Sequence, residues 1–293
     1  MRRRAIAAAA VPAVIALGAY QADRYLHRRL APAAREMPHE PDDVGLVAED
    51  VWLTSTGGTA LHGWFAPPPT SPAPGVVVLH GWGANGSLML PIAALLQEAG
   101  LAVTVADVRG HGHSEPVAHV SQPRFADDLE TFLDFTAAQP EVDDVAVLGH
   151  SVGAAAALLV ASRRPDVAAT IAVGSYADAR ELMARAPGMQ RLPAGLVAAV
   201  FRRMELAMDC RFDDIAPVRT IGESQAPVMV VHGSDDDIIP MVDFQRLGEA
   251  CPPGTRSLLV DGGVHDRLDE YLPHVPEIVD FVRASCGEDA ARR

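Results

Sequence analysis

Ser151 stands in Gly149-His150-Ser151-Val152-Gly153, directly after the apolar run Val145–Leu148 and just before the small-residue stretch Ala154–Ser162. A serine hydroxyl is a poor nucleophile until a base takes its proton and an acid orients that base. G-x-S-x-G between a strand and a helix is a nucleophile elbow. The strained turn lifts the hydroxyl clear of the sheet, and the two glycines leave room where strand and helix nearly touch. The same turn points the Val152 amide towards a reacting oxygen, which makes it a candidate oxyanion donor. The bare pentapeptide is expected by chance in roughly one chain in ten of this length, so the weight falls on its setting. Downstream, the predicted strand Val228–Val231 runs into His232-Gly-Ser-Asp-Asp-Asp-Ile-Ile-Pro240, and Ser257–Val260 runs into Asp261-Gly-Gly-Val-His265. Each loop lies beyond a predicted strand, on the same sheet edge as Ser151, in the order Ser, Asp, His. Spacing alone leaves Asp235, Asp236 and Asp237 open as the acid. His265 suits a base that must later return its proton, since an imidazole titrates near neutrality. His232 reads as a support of the acid loop, and His274, in the last predicted helix, as a surface histidine.

The elements that must position these groups alternate. A hairpin, Val51–Thr54 and Ala60–Phe65 around Gly57-Gly58, opens the folded body. Strand patterns then follow at Val76–Leu79, Ala102–Ala106, Val145–Leu148, Ala168–Val173, Val228–Val231 and Ser257–Val260. Helical patterns lie near Leu88–Glu98, Phe125–Ala138, Val242–Ala250 and Leu268–Ala284. Continuous apolar strands alternating with helices predict an α/β fold, a mostly parallel sheet covered on both faces. The alternation stops over 174–226, where two amphipathic patterns, Ala177–Ala186 and Ala194–Met208, predict a small helical cap over the carboxyl ends of the strands. The chain therefore divides into an N-terminal segment (1–30), a proline-bearing linker (31–46), one domain (47–285) and a short tail (286–293).

Composition narrows the partners. The chain has 293 residues, 49% of them hydrophobic, which is ample for a core, and its net charge is −14. The first 36 residues carry seven arginines against Asp23 and Glu36, so the body is more acidic than the total suggests. A surface of that sign does not track phosphates, and nucleic acid is excluded as a partner. Cys210, Cys251 and Cys286 are too sparse for a disulfide framework or a zinc site. The pair His111 and His113 is too nonspecific to predict a metal, and no glycine-rich phosphate loop follows any strand, so neither metal nor cofactor is expected. Arg2-Arg3-Arg4 precede an uncharged, mostly apolar stretch, Ala5–Tyr20. As a helix it would span roughly 24 Å, a little short of a bilayer core of about 30 Å. Residues 1–30 read as a membrane anchor or export signal, with an alanine-rich surface helix as the alternative.

Four signals in order carry a family resemblance: His80-Gly-Trp-Gly83, Asp107-Val-Arg-Gly-His-Gly-His-Ser114, the elbow, and the Asp–His pair. Over roughly 47–285 the chain resembles the α/β-hydrolase superfamily, particularly serine esterases and aminopeptidase-like hydrolases with a short helical cap. That resemblance implies Asp236 as the acid, from H-G-x-x-D-x-x-V-P laid on His232–Pro240, with Ile239 where valine is usual. It implies His265 as the base, with Val264 where glycine is frequent, and the Trp82 amide as the second oxyanion donor beside Val152. The loop of Arg109 and His111 becomes a rigid support beside the site. The expected activity is cleavage of an ester through an acyl-enzyme. A peptidase, amidase or thioesterase on the same triad, and a non-catalytic binding protein on the same fold, are the alternatives. The expected substrate is a small acyl ester or peptide.

Overall fold

The computed structural model describes residues 36–252 and 254–290. The expected anchor or signal segment, residues 1–30, lies outside them. Eight strands form one sheet: β1 (Glu49–Thr54), β2 (Ala60–Ala66), β3 (Ala73–Leu79), β4 (Ala102–Ala106), β5 (Val142–His150), β6 (Val167–Val173), β7 (Val228–Gly233) and β8 (Arg256–Val260). Their order is β1-β2-β4-β3-β5-β6-β7-β8. The hairpin β1–β2 pairs antiparallel and β2 meets β4 antiparallel; β4 onwards, every pairing is parallel.

Period-two alternation decides which residues face which layer. Val76 and Val78 of β3 point to the layer built by α1 (Leu90–Glu98) and α9 (Val275–Ala290), where Leu90, Leu96, Ile278 and Val282 meet them. Val77 and Leu79 point the other way, to α2 (Gln122–Ala137) and α3 (Val152–Ala161), against Phe125, Phe132, Leu159 and Val160. Both faces are thus dry, which is why these strands read as unbroken apolar runs.

Between β6 and β7 lie α4 (Ala179–Ala184), α5 (Pro187–Gln190) and α6 (Ala194–Met208). Met189, Val200, Phe201 and Met204 from these helices join Phe212 in an apolar cluster of their own, touching the body through Trp82. The expected cap, 174–226, is wider than this. α7 (Pro217–Glu223) already belongs to the body, because Ile221 packs with Ala154, Leu158 and Val228, and with Leu247 of α8 (Met241–Ala250).

Three other expectations change. Residues 36–46, expected as linker, are docked: Leu46 is buried, and Met37 and Val44 pack on the α1–α9 layer. The Ser87 hydroxyl accepts from the His39 amide (2.8 Å) and donates to the His39 carbonyl (2.6 Å), while the Asn85 amide donates to the Glu36 carbonyl (3.2 Å). Prolines stiffen such a segment without keeping it off a surface that satisfies its backbone. The last helix, expected over Leu268–Ala284, is a 3-10 stretch, Leu268–His274, followed by α9. Pro273 removes a backbone donor at that junction. The tail expected from 286 is helical to Ala290, with Cys286 buried.

Candidate active site

The sheet order creates the site. β3 is flanked by β4 on one side and β5 on the other, so the chain reverses its direction of progress there and a crevice opens at the carboxyl ends of β3 and β5. The loop after β3 carries Gly81 and Trp82, and the turn after β5 carries Ser151. A Cβ built on Gly81 would lie 3.0 Å from the Ser151 Cβ, so the two loops touch.

Ser151 holds φ 56° and ψ −118°, a conformation L residues rarely take. The flanking glycines are required by contact. A Cβ on Gly149 would sit 2.3 Å from the Gly153 carbonyl oxygen, and one on Gly153 would sit 2.5 Å from the His80 carbonyl oxygen. Val152 is the first residue of α3, so its N–H has no acceptor within the helix and faces the crevice end of the strands.

The Ser151 Oγ lies 3.0 Å from His265 Nε2, and His265 Nδ1 lies 2.7 Å from Asp236 Oδ2. Because a carboxylate accepts at Nδ1, that nitrogen carries the proton and Nε2 presents a lone pair to the serine. The other oxygen, Asp236 Oδ1, accepts from the amides of Ile238 (3.0 Å) and Ile239 (2.7 Å). Burial would raise the Asp236 pKa, but the imidazole and those two amides outweigh it and hold the carboxyl below the usual carboxylate range. Asp235 instead takes the Ser234 hydroxyl (3.1 Å). Of the three adjacent aspartates, the structure brings Asp236 to the imidazole.

Neutral histidines brace this line. His232 Nε2 donates to the Ile239 carbonyl (3.1 Å), steadying the acid loop, and His150 Nε2 donates to the His265 carbonyl (3.0 Å). Burial lowers the pKa of both, that of His150 to about 3. Beneath the Trp82 loop, His111 Nδ1 donates to the Arg109 carbonyl (3.1 Å) while its Nε2 accepts from the Gly83 amide (3.2 Å). Burial, with the neighbouring His80, lowers His111 to about 3, which keeps that nitrogen an acceptor. Arg109 is held in turn by Asp128, with Nη2 to Oδ1 at 2.5 Å. The two histidines of the H-x-H pair therefore diverge: His111 serves the Trp82 loop, and the His113 ring lies 4.8 Å from that of His62. Among the described residues no three metal-binding side chains converge. His274 lies apart, 3.3 Å from Glu277.

A cavity of about 380 Å³ opens on Ser151 and His265 and runs beneath the cap. Trp82 forms one wall, its indole stacked on Phe125 at 6.3 Å. Met183, Met189, Met204, Met208, Phe201 and Phe212 supply much of the rest. Sequence reasoning missed two polar residues in this lining. The Tyr176 hydroxyl donates to Gln122 Oε1 (2.9 Å), and Gln122 Nε2 donates to the Ile215 carbonyl (2.7 Å), so both are satisfied within the wall. His150 was also missed; its place between glycine and serine in the elbow was the available signal.

Fold and site together define an α/β hydrolase. The family model described as serine aminopeptidase, S33, matches residues 70–223, more than half of the chain, and the protein belongs to that family. It is a hydrolase by family. The uncharacterized protein Rv2307c of Mycobacterium tuberculosis is 28% identical over 294 residues, covering 99% of this chain and 97% of the relative. The α/β hydrolase domain-containing protein WAV2 of Arabidopsis thaliana is 24% identical over 220 residues, covering 73% of this chain and 70% of that one. Among solved structures, the esterase Pf2001 of Pyrococcus furiosus superposes with a TM-score of 0.70 at 21% identity, covering 88% of this chain and 98% of the esterase, a likeness of fold.

Proposed function

We propose that this hydrolase cleaves esters of apolar acyl groups through a Ser151–His265–Asp236 triad. The observation that carries the reading is the hydrogen-bonded line from Asp236 through His265 to Ser151, opening onto a methionine-rich chamber. His265 Nε2 takes the hydroxyl proton as Ser151 Oγ bonds to the ester carbonyl carbon. The carbonyl oxygen, now an oxyanion, is received by the amides of Trp82 and Val152, a contribution of several kcal/mol in such sites. His265 then hands its proton to the departing alcohol as the carbon–oxygen bond breaks, leaving an acyl-enzyme. Water then gives a proton to His265 as its oxygen bonds to the acyl carbon, and the Ser151 Oγ–carbon bond breaks as His265 returns that proton to Oγ, releasing the acid. Asp236 fixes the imidazole tautomer throughout and stabilises its charged form.

Recognition of a free amine, which an aminopeptidase needs, calls for carboxylates at the chamber, and its lining offers one, Asp266. Three of the cap carboxylates are already committed to arginines: Glu181 to Arg246 (2.6 Å), Glu205 to Arg180 (3.0 Å), and Asp213 to Arg180 (3.4 Å). This favours ester over peptide. For residues 1–30, the basic start and uncharged stretch support a role as membrane anchor or export signal; among the described residues no helix is long and apolar enough to cross a membrane.

The test is labelling with a fluorophosphonate probe and mapping of the modified peptide. Modification at Ser151, abolished in Ser151→Ala and lost in His265→Ala, is expected, together with release of acid from short acyl esters by the unmodified protein alone. Retention of ester turnover by Ser151→Ala would overturn the assignment.

A further inference from the structure

Met189 and Phe201 line two cavities at once. One is the chamber of about 380 Å³ that begins at Ser151. The other is a groove of about 540 Å³ walled by Ala184, Leu192, Val197 and Ala198 and edged by Arg180, Arg202 and Glu205. Ser151 lines the first and not the second. The geometry of α6 explains the division. Val200 and Met204 face the chamber, Val197 and Ala198 face the groove, and Phe201 sits between the two stripes. Both partition residues are buried, and the Phe201 ring is held nearly edge-on to Phe212, at 5.6 Å and 78°.

We propose that Met189 and Phe201 form the end wall of the acyl chamber and set the longest acyl chain accepted, and that the groove beyond receives the overhang when that wall is thinned. The proposal rests on the acyl-ester reading of the Ser151 site. Up to the wall, each methylene withdrawn from water raises kcat/KM by about fourfold. A chain that reaches the wall gains nothing more unless it displaces two buried side chains from a packed cluster. Methionine, unbranched and adaptable, is the easier of the two to move. Beyond the wall, Glu205 meets both Arg180 (3.0 Å) and Arg202 (3.3 Å), and Arg180 also meets Asp213 (3.4 Å), so each charged group at the groove is already ion-paired. What remains for a ligand is the alkyl strip of Ala184, Leu192, Val197 and Ala198, which fits the distal end of a straight chain.

The experiment is a profile of kcat/KM against acyl length for p-nitrophenyl esters, from butanoate to hexadecanoate, in the wild type, Met189→Ala and Phe201→Ala. Labelling at Ser151 by the fluorophosphonate serves as the check that each site is assembled. The wild type is expected to gain about fourfold per methylene and then break. In both variants the break moves to longer chains, and the hexadecanoate-to-butanoate ratio rises about fifteenfold, the gain from two added methylenes at about fourfold each. Variants that label at Ser151 yet break at the wild-type length would overturn the proposal while leaving the triad reading intact. A wild type that cleaves none of the esters would overturn the acyl-ester reading as well. Should Phe201→Ala fail to fold, Met189→Ala decides the matter by the same ratio.

Discussion

Ser151 is held where a side chain is disfavoured: of the described residues other than glycine, it shares positive φ with Asp209 alone. Such a conformation costs of order 1–3 kcal/mol, and the surrounding elbow must sustain it. Alanine at this position keeps a Cβ and therefore keeps the strain; glycine relieves it. Ser151→Gly is accordingly expected to be inactive and more stable than Ser151→Ala by about 1 kcal/mol, after allowing for the added freedom of the unfolded chain. Thermal scans should place Ser151→Gly about 2–4 °C above Ser151→Ala, which itself melts close to the wild type. Equal melting of the two variants would show that the elbow carries no stored strain.

At the scale of elements, histidines tie the strands and loops beneath the site, and their titration predicts how stability varies with pH. His62 of β2 lies between Asp107 (Nδ1 to Oδ2, 3.0 Å) and Asp50 of β1 (Nε2 to Oδ1, 2.8 Å). Burial alone would lower its pKa, yet the bonds to the two carboxylates outweigh burial and raise it above 6.5. The folded state thus holds this proton more tightly than the unfolded state does. Its contribution is complete below pH 6.5 and is lost as pH rises through the raised value. Burial lowers His80, His111, His150 and His232, the second and third to about 3. These four stay neutral in the fold and take protons first in the unfolded chain, so stability falls as pH drops below 6.5. Urea midpoints measured between pH 4.5 and 9 should therefore pass through a maximum. In His62→Gln the decline on the alkaline side should be missing while the acid limb persists. An alkaline limb unchanged by that substitution would remove the His62 bridge from the account.

The whole molecule joins a strongly acidic body to an arginine-bearing N-terminal stretch. Docking of the chain on the domain is established from Glu36 onwards, through Asn85, Ser87 and the burial of Leu46. Because the role proposed for residues 1–30 lies at the membrane or in export and not in the fold, a chain beginning at Glu36 should melt within about 2 °C of the full chain, a difference under about 1 kcal/mol, and keep its kcat/KM. On the proposed role of residues 1–30, the full chain should partition with membranes or be exported in its native host, and the shortened chain should remain in the soluble cytosolic fraction. Identical fractionation of the two would set that role aside.

Much of this architecture is written locally. Apolar runs of strand length and the glycines around Ser151 depend on near neighbours in the chain, so the parallel sheet and the elbow could be read from residue types and spacing, while His265 is singled out by its loop beyond a predicted strand together with the family motif. Other features depend on contacts between distant segments. Spacing alone leaves three adjacent aspartates open and only the family motif points to Asp236; the physical reason lies in the seating of the β7 loop against the β8 loop, where the Asp235 amide donates to the Gly263 carbonyl (3.0 Å). Prolines made residues 36–46 look like a free linker because composition does not reveal that Asn85 and Ser87 satisfy that backbone. Amphipathicity gave the cap helices their apolar stripes but not what those stripes enclose. That Met189 and Phe201 divide one chamber from one groove is settled only when the cap helices pack against one another and against Trp82, because a cavity is the space left between elements and no single element contains it.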